Sequence, residues 1–432
     1  MDRRICDYFE AHRAAFLEDL RTLVAVPSDR GAPAPGAPYG PGPRAVLDEA
    51  KRICEAHGLA ADIRGDRVLV AELGEGEAEL GILAHLDVVP PAGEWTVTGP
   101  WEMREVDGVL YGRGVIDDKG PAVAALYALL CARDLGLIKK KVQLILGSDE
   151  ENGSSDIAWY MERHAMPPRV FTPDANFPLV NIEKGHMFMA VTAPLAGEGL
   201  HVTEIAGGSV ANAVPASARA VLSDGTTIEA QGRAAHASLP DEGDNAICKL
   251  LEELAGIEGA NFDVFRALSR VLPHGDTGGH AFGGACQDAI SGALTVNLGV
   301  ISGNEAEGLR AVIDCRVPVC GDGHAIADAL RAALGGAAQV EVLGLSGPHH
   351  TPAESDLVRG LLKIYEDYTG EKGEALAIGG GTYVHEVAGG VAFGCEFPGS
   401  EGHMHEPDER ASVAELLLSG EMFAQAVADF CG

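Results

Sequence analysis

The chain has 432 residues, 46% of them apolar and 22% charged, which is the composition of a globular protein long enough for two or three domains. Its 64 acidic residues against 32 basic ones give a formal net charge of −32, which argues against nucleic-acid and anionic-membrane partners because both require a positive surface. The nine cysteines, without a CxxC pair, predict free thiols in a reducing cytoplasm, and no segment has the apolar length of a signal-peptide core or a membrane span.

The first part of the chain alternates helical and strand patterns. Apolar residues at helical spacing begin at Ile5, a Pro/Gly-rich loop covers 27–43, and a second helix is expected to end near His57. The runs GILAHLD, VQLILG and VFTPD read as buried strands, and PAVAALYALLCARDLG between the first two reads as a helix. This strand–helix–strand order predicts an α/β sheet.

The pattern changes near residue 185. Alternating strands such as MFMAVTAPL and LRAVIDCRVPV, with helices at 244–257 and 324–334, predict a separate α+β domain. After Gly373 the chain returns to Gly-rich loops and a final helix, which Ser412 and Glu415 begin in capping-box spacing. We therefore predict a mixed-sheet α/β domain formed by 1–185 and 374–432, with an α+β domain inserted at 186–373.

Candidate functional side chains follow the predicted strands. His85 and Asp87 end the first strand and share one face, as a metal-binding His with a supporting carboxylate would. Asp117 and Asp118 lie in a turn before an apolar helix, where a buried carboxylate needs a counter-charge. The alternatives are a structural His–Asp pair, and a solvated turn in which Lys119 pairs with an aspartate.

More acidic residues follow the next two strands. Glu150 and Glu151 face opposite ways in extended chain, so one can bind metal while the other holds the reacting water; an exposed acidic turn is the alternative. Asp174 follows the third strand, and His405 lies in a C-terminal Gly-rich loop. Because ligands of open α/β sheets collect at the carboxyl ends of strands, this set predicts a site for zinc, manganese or cobalt.

The motifs HLDVVP, GRGVIDDKGP, DEENG, TPDA and HMHEPDE, in this order, resemble the co-catalytic metallopeptidase family of carboxypeptidase G, aminoacylase-1, succinyl-diaminopimelate desuccinylase and carnosinase. AHLDVVPPAGEW, YGRGVIDDKGPAVAALYAL and FTPDANFPLVNIEKG are most similar to its peptidase V (Xaa-His dipeptidase-like) branch. The resemblance covers nearly the whole chain. It implies two divalent metal ions, with Zn2+ expected and Mn2+ or Co2+ as alternatives.

The resemblance also implies roles for individual residues. Asp117 would bridge the two metals, with a cis peptide bond to Asp118. Glu150 would be the general base and Asp87 would orient His85. The ligands implied for the two metals are His85 and Asp174 for one, and Glu151 and His405 for the other. His403, two residues before His405, competes with it as a ligand.

The predicted insert and the loop after it supply substrate candidates. The segment GRAAHASLP resembles the one whose histidine, here His236, stabilises the tetrahedral oxyanion. Asn212 and Arg316 match positions that contact substrate, and an arginine fork suits a terminal carboxylate, although a surface salt bridge is the alternative. In GGGTY, the backbone N–H groups of Gly380, Gly381 and Thr382 could grip a carboxylate. Val384 and His385 follow where the branch commonly has Ala-Arg, which puts the side-chain preference in doubt.

The predicted function is hydrolysis of dipeptides or very short peptides by a metal-activated water. An N-acyl-amino-acid amidohydrolase using the same site is the neighbouring alternative, and a non-catalytic binding module that keeps the fold is the other. The long insert resembles the lid of peptidase V-like enzymes, which folds over its own active site, so a monomer is expected. A dimer is the alternative, because relatives with shorter lids dimerise through them.

Overall fold

The computed structural model describes residues 1–432. The chain forms two units, one made of Met1–Asn181, His350–Leu376 and Gly381–Gly432, and the other of Ile182–His349 and Ala377–Gly380. The helices are α1 (Arg3–Val24), α2 (Pro41–Ala56), α3 (Lys119–Asp134), α4 (Ser155–Met161), α5 (Ala246–Ala255), α6 (Phe262–Val271), α7 (Gly323–Leu334), α8 (Asp356–Thr369) and α9 (Val413–Cys431).

The strands are short and numerous. They are β1 (Ala60–Arg64), β2 (Val68–Leu73), β3 (Ala78–His85), β4 (Arg104–Val106), β5 (Val109–Tyr111), β6 (Lys141–Gly147), β7 (Arg169–Thr172), β8 (Ala175–Asn176), β9 (Leu179–Glu183), β10 (Gly185–Ala193), β11 (Val202–Gly207), β12 (Ser217–Leu222), β13 (Thr227–Gln231), β14 (Gln287–Asp288), β15 (Gly292–Ala293), β16 (Thr295–Asn304), β17 (Gly308–Val317), β18 (Gln339–Ser346), β19 (His349–His350), β20 (Ala375–Ile378), β21 (Val391–Ala392), β22 (Cys395–Glu396) and β23 (Arg410–Ser412).

A mixed sheet organises the first unit, with strands in the order β1-β2-β6-β3-β7-β21-β9. The central β3 runs parallel to both β6 and β7, whereas β2 pairs with β6 in the antiparallel sense. Helix α3 is buried on nearly every side, as expected of a helix that is apolar all round. The mixed α/β fold predicted from the sequence is confirmed.

The first and the last of the predicted helices can be compared with the structure. Helix α1 buries the predicted residues Ile5, Phe9, Phe16, Leu20 and Leu23. Ser412 caps α9, because its hydroxyl accepts the N–H of Glu415 at 3.4 Å. The reciprocal half of the capping box is not made, since the Glu415 carboxylate binds the Ser400 hydroxyl at 2.8 Å instead.

The second unit is built on a seven-stranded sheet in the order β13-β12-β11-β16-β17-β10-β18. Its neighbouring strands pair in the antiparallel sense. Apolar residues of α5, α6 and α7 join the sheet in a core of their own. An antiparallel sheet with helices gathered beside it is the α+β pattern that the alternating strands predicted.

The division between the units differs from the sequence expectation most in the segment 350–373, and by four residues each at 182–185 and 377–380. The insert was expected to end at residue 373, whereas residues 350–373 belong to the first unit. Helix α8, within this segment, buries Leu357, Val358 and Leu361 in the core of the first unit. The change of pattern at Gly373 follows the end of α8 at Thr369, and the chain has already returned to the first unit at His350, before that helix begins.

Candidate metal centre

Three neighbouring strands deliver the candidate side chains to one edge of the sheet. His85 ends β3 and lies in register with Gly147, the last residue of β6. The chain leaving β6 carries Glu150 and Glu151, and the chain leaving β7 carries Asp174. Since β3 is parallel to both neighbours, these chain ends meet beside His85, as the sequence predicts.

Asp117 lies between the two candidate imidazoles. Its Oδ1 is 2.9 Å from Nε2 of His85, and its Oδ2 is 2.9 Å from Nε2 of His405. The peptide bond from Asp117 to Asp118 is cis, as the resemblance implies. One carboxylate that faces two imidazoles in this way can bridge two cations.

The other carboxylates complete the cluster. Oδ2 of Asp174 is 3.5 Å from Nε2 of His85, and Oε2 of Glu151 is 3.2 Å from Nε2 of His405. Ligand atoms of His85, Asp117 and Glu151 lie within 4.8 Å of one another, and so do those of His85, Glu150 and Asp174. All five predicted ligands and the predicted base are therefore brought together.

The donor atoms fit a metal. Nε2 of His85 and Oε1 of Glu151 are buried and make no well-aligned hydrogen bond, although Nε2 lies 2.9 Å from Oδ1 of Asp117. A buried polar atom without a partner costs about 1–3 kcal/mol, and coordination to a cation would satisfy both atoms. Two imidazoles with four carboxylates form a nitrogen–oxygen set that suits Zn2+, Mn2+ or Co2+.

The negative charges of the buried carboxylates also favour a bound cation. Burial raises the pKa of Glu150 well above its usual range and raises that of Glu151 to about 7. Burial would also raise the pKa of Asp117, but the adjacent imidazoles of His405 and His85 outweigh it and lower this pKa. Several carboxylates are thus held in an interior where negative charge is costly unless it is paired.

Metal binding is expected to release protons and to strengthen as the pH rises. The carboxylates of Asp117 and Glu151 raise the pKa of His405 to about 11 in the metal-free protein, so a metal ion must displace this proton at neutral pH. Each proton released raises the apparent affinity about tenfold per pH unit. Calorimetric titration in buffers of different ionisation enthalpy measures this release, and a buffer-independent heat would contradict it.

Asp87 supports the cluster in a different way from the one expected. Nδ1 of His85 lies 3.0 Å from the backbone oxygen of Asp87 and 3.6 Å from its carboxylate. The carboxylate instead accepts the N–H groups of Glu150 and Glu151, at 3.1 and 3.2 Å. Asp87 therefore fixes the imidazole through its main chain and the acidic turn through its side chain.

The alternatives considered for two residues can now be compared with their positions. Nζ of Lys119 donates to the backbone oxygens of Leu23 and Val26, at 3.0 and 2.9 Å, so this lysine does not neutralise the aspartate pair. Nε2 of His403 lies 3.0 Å from Nη2 of Arg410, whereas His405 lies in the cluster. The geometry favours His405 as the ligand.

Glu409 is a supporting residue that sequence reasoning missed. Its fully buried carboxylate accepts the N–H groups of Gly114, Ile116 and Asp117 at 2.9–3.3 Å and pairs with Arg113 at 2.6 Å. The chain carrying His405 is thereby fastened to the turn carrying Asp117. The signal available was the last acid of HEPDE, four residues after a candidate ligand.

Glu409→Gln is expected to destabilise the fold by about 3–5 kcal/mol, because it leaves the Arg113 charge buried without its partner. Chemical denaturation of the metal-free protein measures the change. Glu18→Gln is the matched control, since the Glu18–Arg21 pair is exposed and worth under about 1 kcal/mol. Equal, small effects of both substitutions would show that the buried pair does not stabilise the turn.

Arg316 lies in the second unit and is almost fully buried. Its Nε and Nη2 donate to the two carboxylate oxygens of Asp314 at 2.8 and 2.9 Å. Its Nη1 donates to the backbone oxygen of Gly379 at 2.6 Å and lies 3.0 Å from Nε2 of His186. The structure thus pairs the fork with Asp314, in a buried ion pair and not the surface one considered as the alternative.

His236 and Asn212 are neighbours in the same unit. The backbone oxygen of Asn212 accepts the N–H of Ala237 at 2.9 Å, and Nδ1 of His236 lies 2.7 Å from the Ser238 hydroxyl. Ser238 packs so closely on Gly379 that a Cβ there would lie 2.6 Å from the serine Cβ. His236, Asn212 and the Gly379 backbone that Arg316 holds are therefore linked within one unit.

The glycine-rich segment spans the division of the chain, with Gly380 in the second unit and Gly381 and Thr382 in the first. The Thr382 hydroxyl accepts the N–H of Val384 at 3.3 Å and so caps the short 3-10 helix Tyr383–Glu386. The segment is thus fixed from its C-terminal side by a turn whose first two residues, Tyr383 and Val384, are buried.

The chain is similar to known proteins over nearly its whole length. A family model described as Peptidase family M20/M25/M40 matches residues 81–429. "Putative dipeptidase YtjP" of Bacillus subtilis (strain 168) is 33% identical, over 95% of this chain and 96% of the relative. Beta-Ala-Xaa dipeptidase of Lactobacillus delbrueckii subsp. lactis is 28% identical, over 99% of this chain and 98% of the relative.

A solved structure is similar in fold. The crystal structure of human carnosine dipeptidase 1 matches with a TM-score of 0.65 at 14% identity, over 99% of this chain and 98% of that one. At this identity the likeness concerns the fold alone. None of the helices combines the length and apolar character needed to cross a membrane.

Proposed function

Because the chain belongs to the peptidase family M20/M25/M40, we propose that its metal centre hydrolyses dipeptides. The observation that carries the proposal is the convergence of two imidazoles and four carboxylates at one sheet edge, with Asp117 between the imidazoles. The relatives named as dipeptidases match over nearly their whole length, which supports a substrate of the same class.

The roles proposed for the residues follow their positions. Two divalent ions, held by His85, Asp117, Glu151, Asp174 and His405, would polarise the scissile carbonyl and make the attacking water more acidic. Glu150 accepts the proton of that water and passes it to the leaving amine. Burial raises the pKa of Glu150 in the metal-free protein, and two bound cations would oppose this shift by favouring the charged carboxylate that acts as the base.

The substrate contacts of His236, Asn212, Arg316, Gly380, Gly381 and Thr382 stay predictions. We also propose zinc as the resident metal, a monomer as the working form and the cytoplasm as the compartment. The two imidazoles of the ligand set are compatible with zinc, with Mn2+ and Co2+ as the alternatives, and nine free cysteines support a reducing compartment. Metal analysis of purified protein and light scattering test the first two of these.

Activity on paired substrates tests the function. We expect the metal-loaded protein to hydrolyse dipeptides with a free amino group, such as Ala-Ala and β-Ala-Ala, and to lose this activity in chelator. N-acetyl- and N-succinyl-amino acids carry the same amide bond without that amine. Faster cleavage of the N-acyl compounds would replace the proposal by a deacylase, and two bound metals without turnover of either class would indicate a binding module.

A further inference from the structure

A buried tyrosine, Tyr383, binds a residue close to the acidic turn that is distant from it in the sequence. The hydroxyl of Tyr383 donates to Oδ2 of Asp156 at 2.6 Å, across 227 residues of chain. The two side chains are 1% and 0% exposed, so the bond is shielded from water. None of the roles given above uses this pair.

The last residue of β6, Gly147, leaves room for this contact because it has no side chain. A Cβ at Gly147 would lie 2.0 Å from the Tyr383 hydroxyl and 2.5 Å from Oδ2 of Asp156. No side chain fits there without displacing the pair. Gly147 is also the register partner of His85, so the hydroxyl lies where two ligand-bearing strands end together.

Asp156 in turn holds the turn that leads to the predicted base. Its Oδ2 accepts the N–H groups of Ser148 and Asp149 at 2.6 and 3.1 Å, and its Oδ1 accepts that of Ile157 at 2.7 Å. Ser148 and Asp149 directly precede Glu150. With Asp87 binding the next two N–H groups, the turn is fixed by two buried carboxylates.

Tyr383 contacts two other parts of the centre. Its ring stands edge-on to the imidazole of His85, with centroids 6.1 Å apart and planes at 89°. Its backbone directly follows Gly381 and Thr382 in the glycine-rich segment. One side chain thus packs against a metal-ligand candidate and is linked through Asp156 to the turn of the base, while its backbone continues the segment proposed to grip substrate.

We propose that Tyr383 and Asp156 are positioning residues for the hydrolysis proposed above, holding Glu150 and the segment Gly381–Thr382 in fixed register with His85. The inference rests on the proposed function, because it concerns the same reaction. Neither residue reacts itself. Their hydrogen bond keeps the base at the place where it meets the water, and a displacement of about 1 Å in such a group can cost 10²-fold in rate.

Tyr383→Phe removes the hydroxyl and keeps the ring against His85. We expect kcat for a dipeptide to fall about 10- to 100-fold, with KM changing far less and two metal ions still bound per chain. Gly147→Ala should give a similar fall, because it breaks the same bond by a steric route. Tyr8→Phe is the matched control, since that buried tyrosine donates to Asp134 at 3.0 Å on the helices α1 and α3.

The measurements are kcat and KM, metal content and melting temperature for the three variants and the unmodified protein. A purely structural role predicts equal loss of stability and activity, or loss of metal, in Tyr383→Phe; either result would overturn the inference. So would a kcat within twofold of the unmodified protein. Lack of turnover by the unmodified protein would overturn the proposed function together with this inference, whereas turnover that Tyr383→Phe leaves intact overturns the inference alone.

Discussion

Replacing Glu150 by glutamine is expected to lower kcat for dipeptides by about 10²–10⁴-fold while both metal ions remain bound. The amide keeps the size of the side chain, and the N–H of residue 150 can still bind the Asp87 carboxylate. It cannot accept a proton from water or return one to the leaving amine. Steady-state kinetics with metal analysis of the same sample measures the effect.

Glu162→Gln provides the comparison for this substitution. Glu162 is an exposed residue of similar chemistry, paired with Arg163 at the surface, and its replacement should leave both kcat and metal content unchanged. Turnover of Glu150→Gln within a few-fold of the unmodified protein would exclude Glu150 as the base. A large fall that accompanies metal loss would instead assign Glu150 to metal binding.

Asp117→Asn should have an effect of similar size by a different route. The proposed bridge would need both anionic oxygens of Asp117, each 2.9 Å from an imidazole, and an amide offers one neutral oxygen. We expect fewer than two metal ions per chain and a fall in activity beyond the 10- to 100-fold that loss of a supporting residue causes. Metal analysis after gel filtration, followed by assays at increasing metal concentration, measures both quantities.

The control for this variant is Asp328→Asn, which changes an exposed aspartate of helix α7 paired with Arg331. It should retain full metal content and activity. If Asp117→Asn also retained two tightly bound ions, Asp117 would not be the bridge, and the two imidazoles would belong to separate sites. Recovery of activity at high metal concentration would show that the loss of activity in Asp117→Asn arises from weaker metal binding.

The sequence predicts those parts of the site that local pattern determines. Each strand end is marked by an apolar run followed by acids, and parallel pairing brings such ends together, so His85, Glu151 and Asp174 could be placed before any coordinates. The motif resemblance added the order and the roles, and the family match confirms the resemblance. The segments that carry the candidate metal ligands can thus be recognised from a sequence pattern of only a few residues.

The supporting contacts could not be predicted because they join distant residues. Glu409 lies 292 residues from Asp117, and Tyr383 lies 227 residues from Asp156, so no local pattern connects either pair. The backbone oxygen of Asp87 replaced its carboxylate as the partner of His85 because the carboxylate serves two N–H groups instead. Such exchanges depend on tertiary packing, which composition and periodicity do not encode.

The second unit interrupts the first one, and this order has a consequence for the protein during synthesis. His405 leaves the ribosome 231 residues after Asp174, a delay of roughly 10–50 s at 5–20 residues per second. In that interval the nascent chain already carries the four carboxylates of the cluster and one of its imidazoles, that of His85. It still lacks the imidazole of His405 and the buried contacts of Glu409. Full metal loading must therefore follow translation of the C-terminal segment, while the interrupting unit, which apart from Ala377–Gly380 is continuous from Ile182 to His349, can begin to fold earlier.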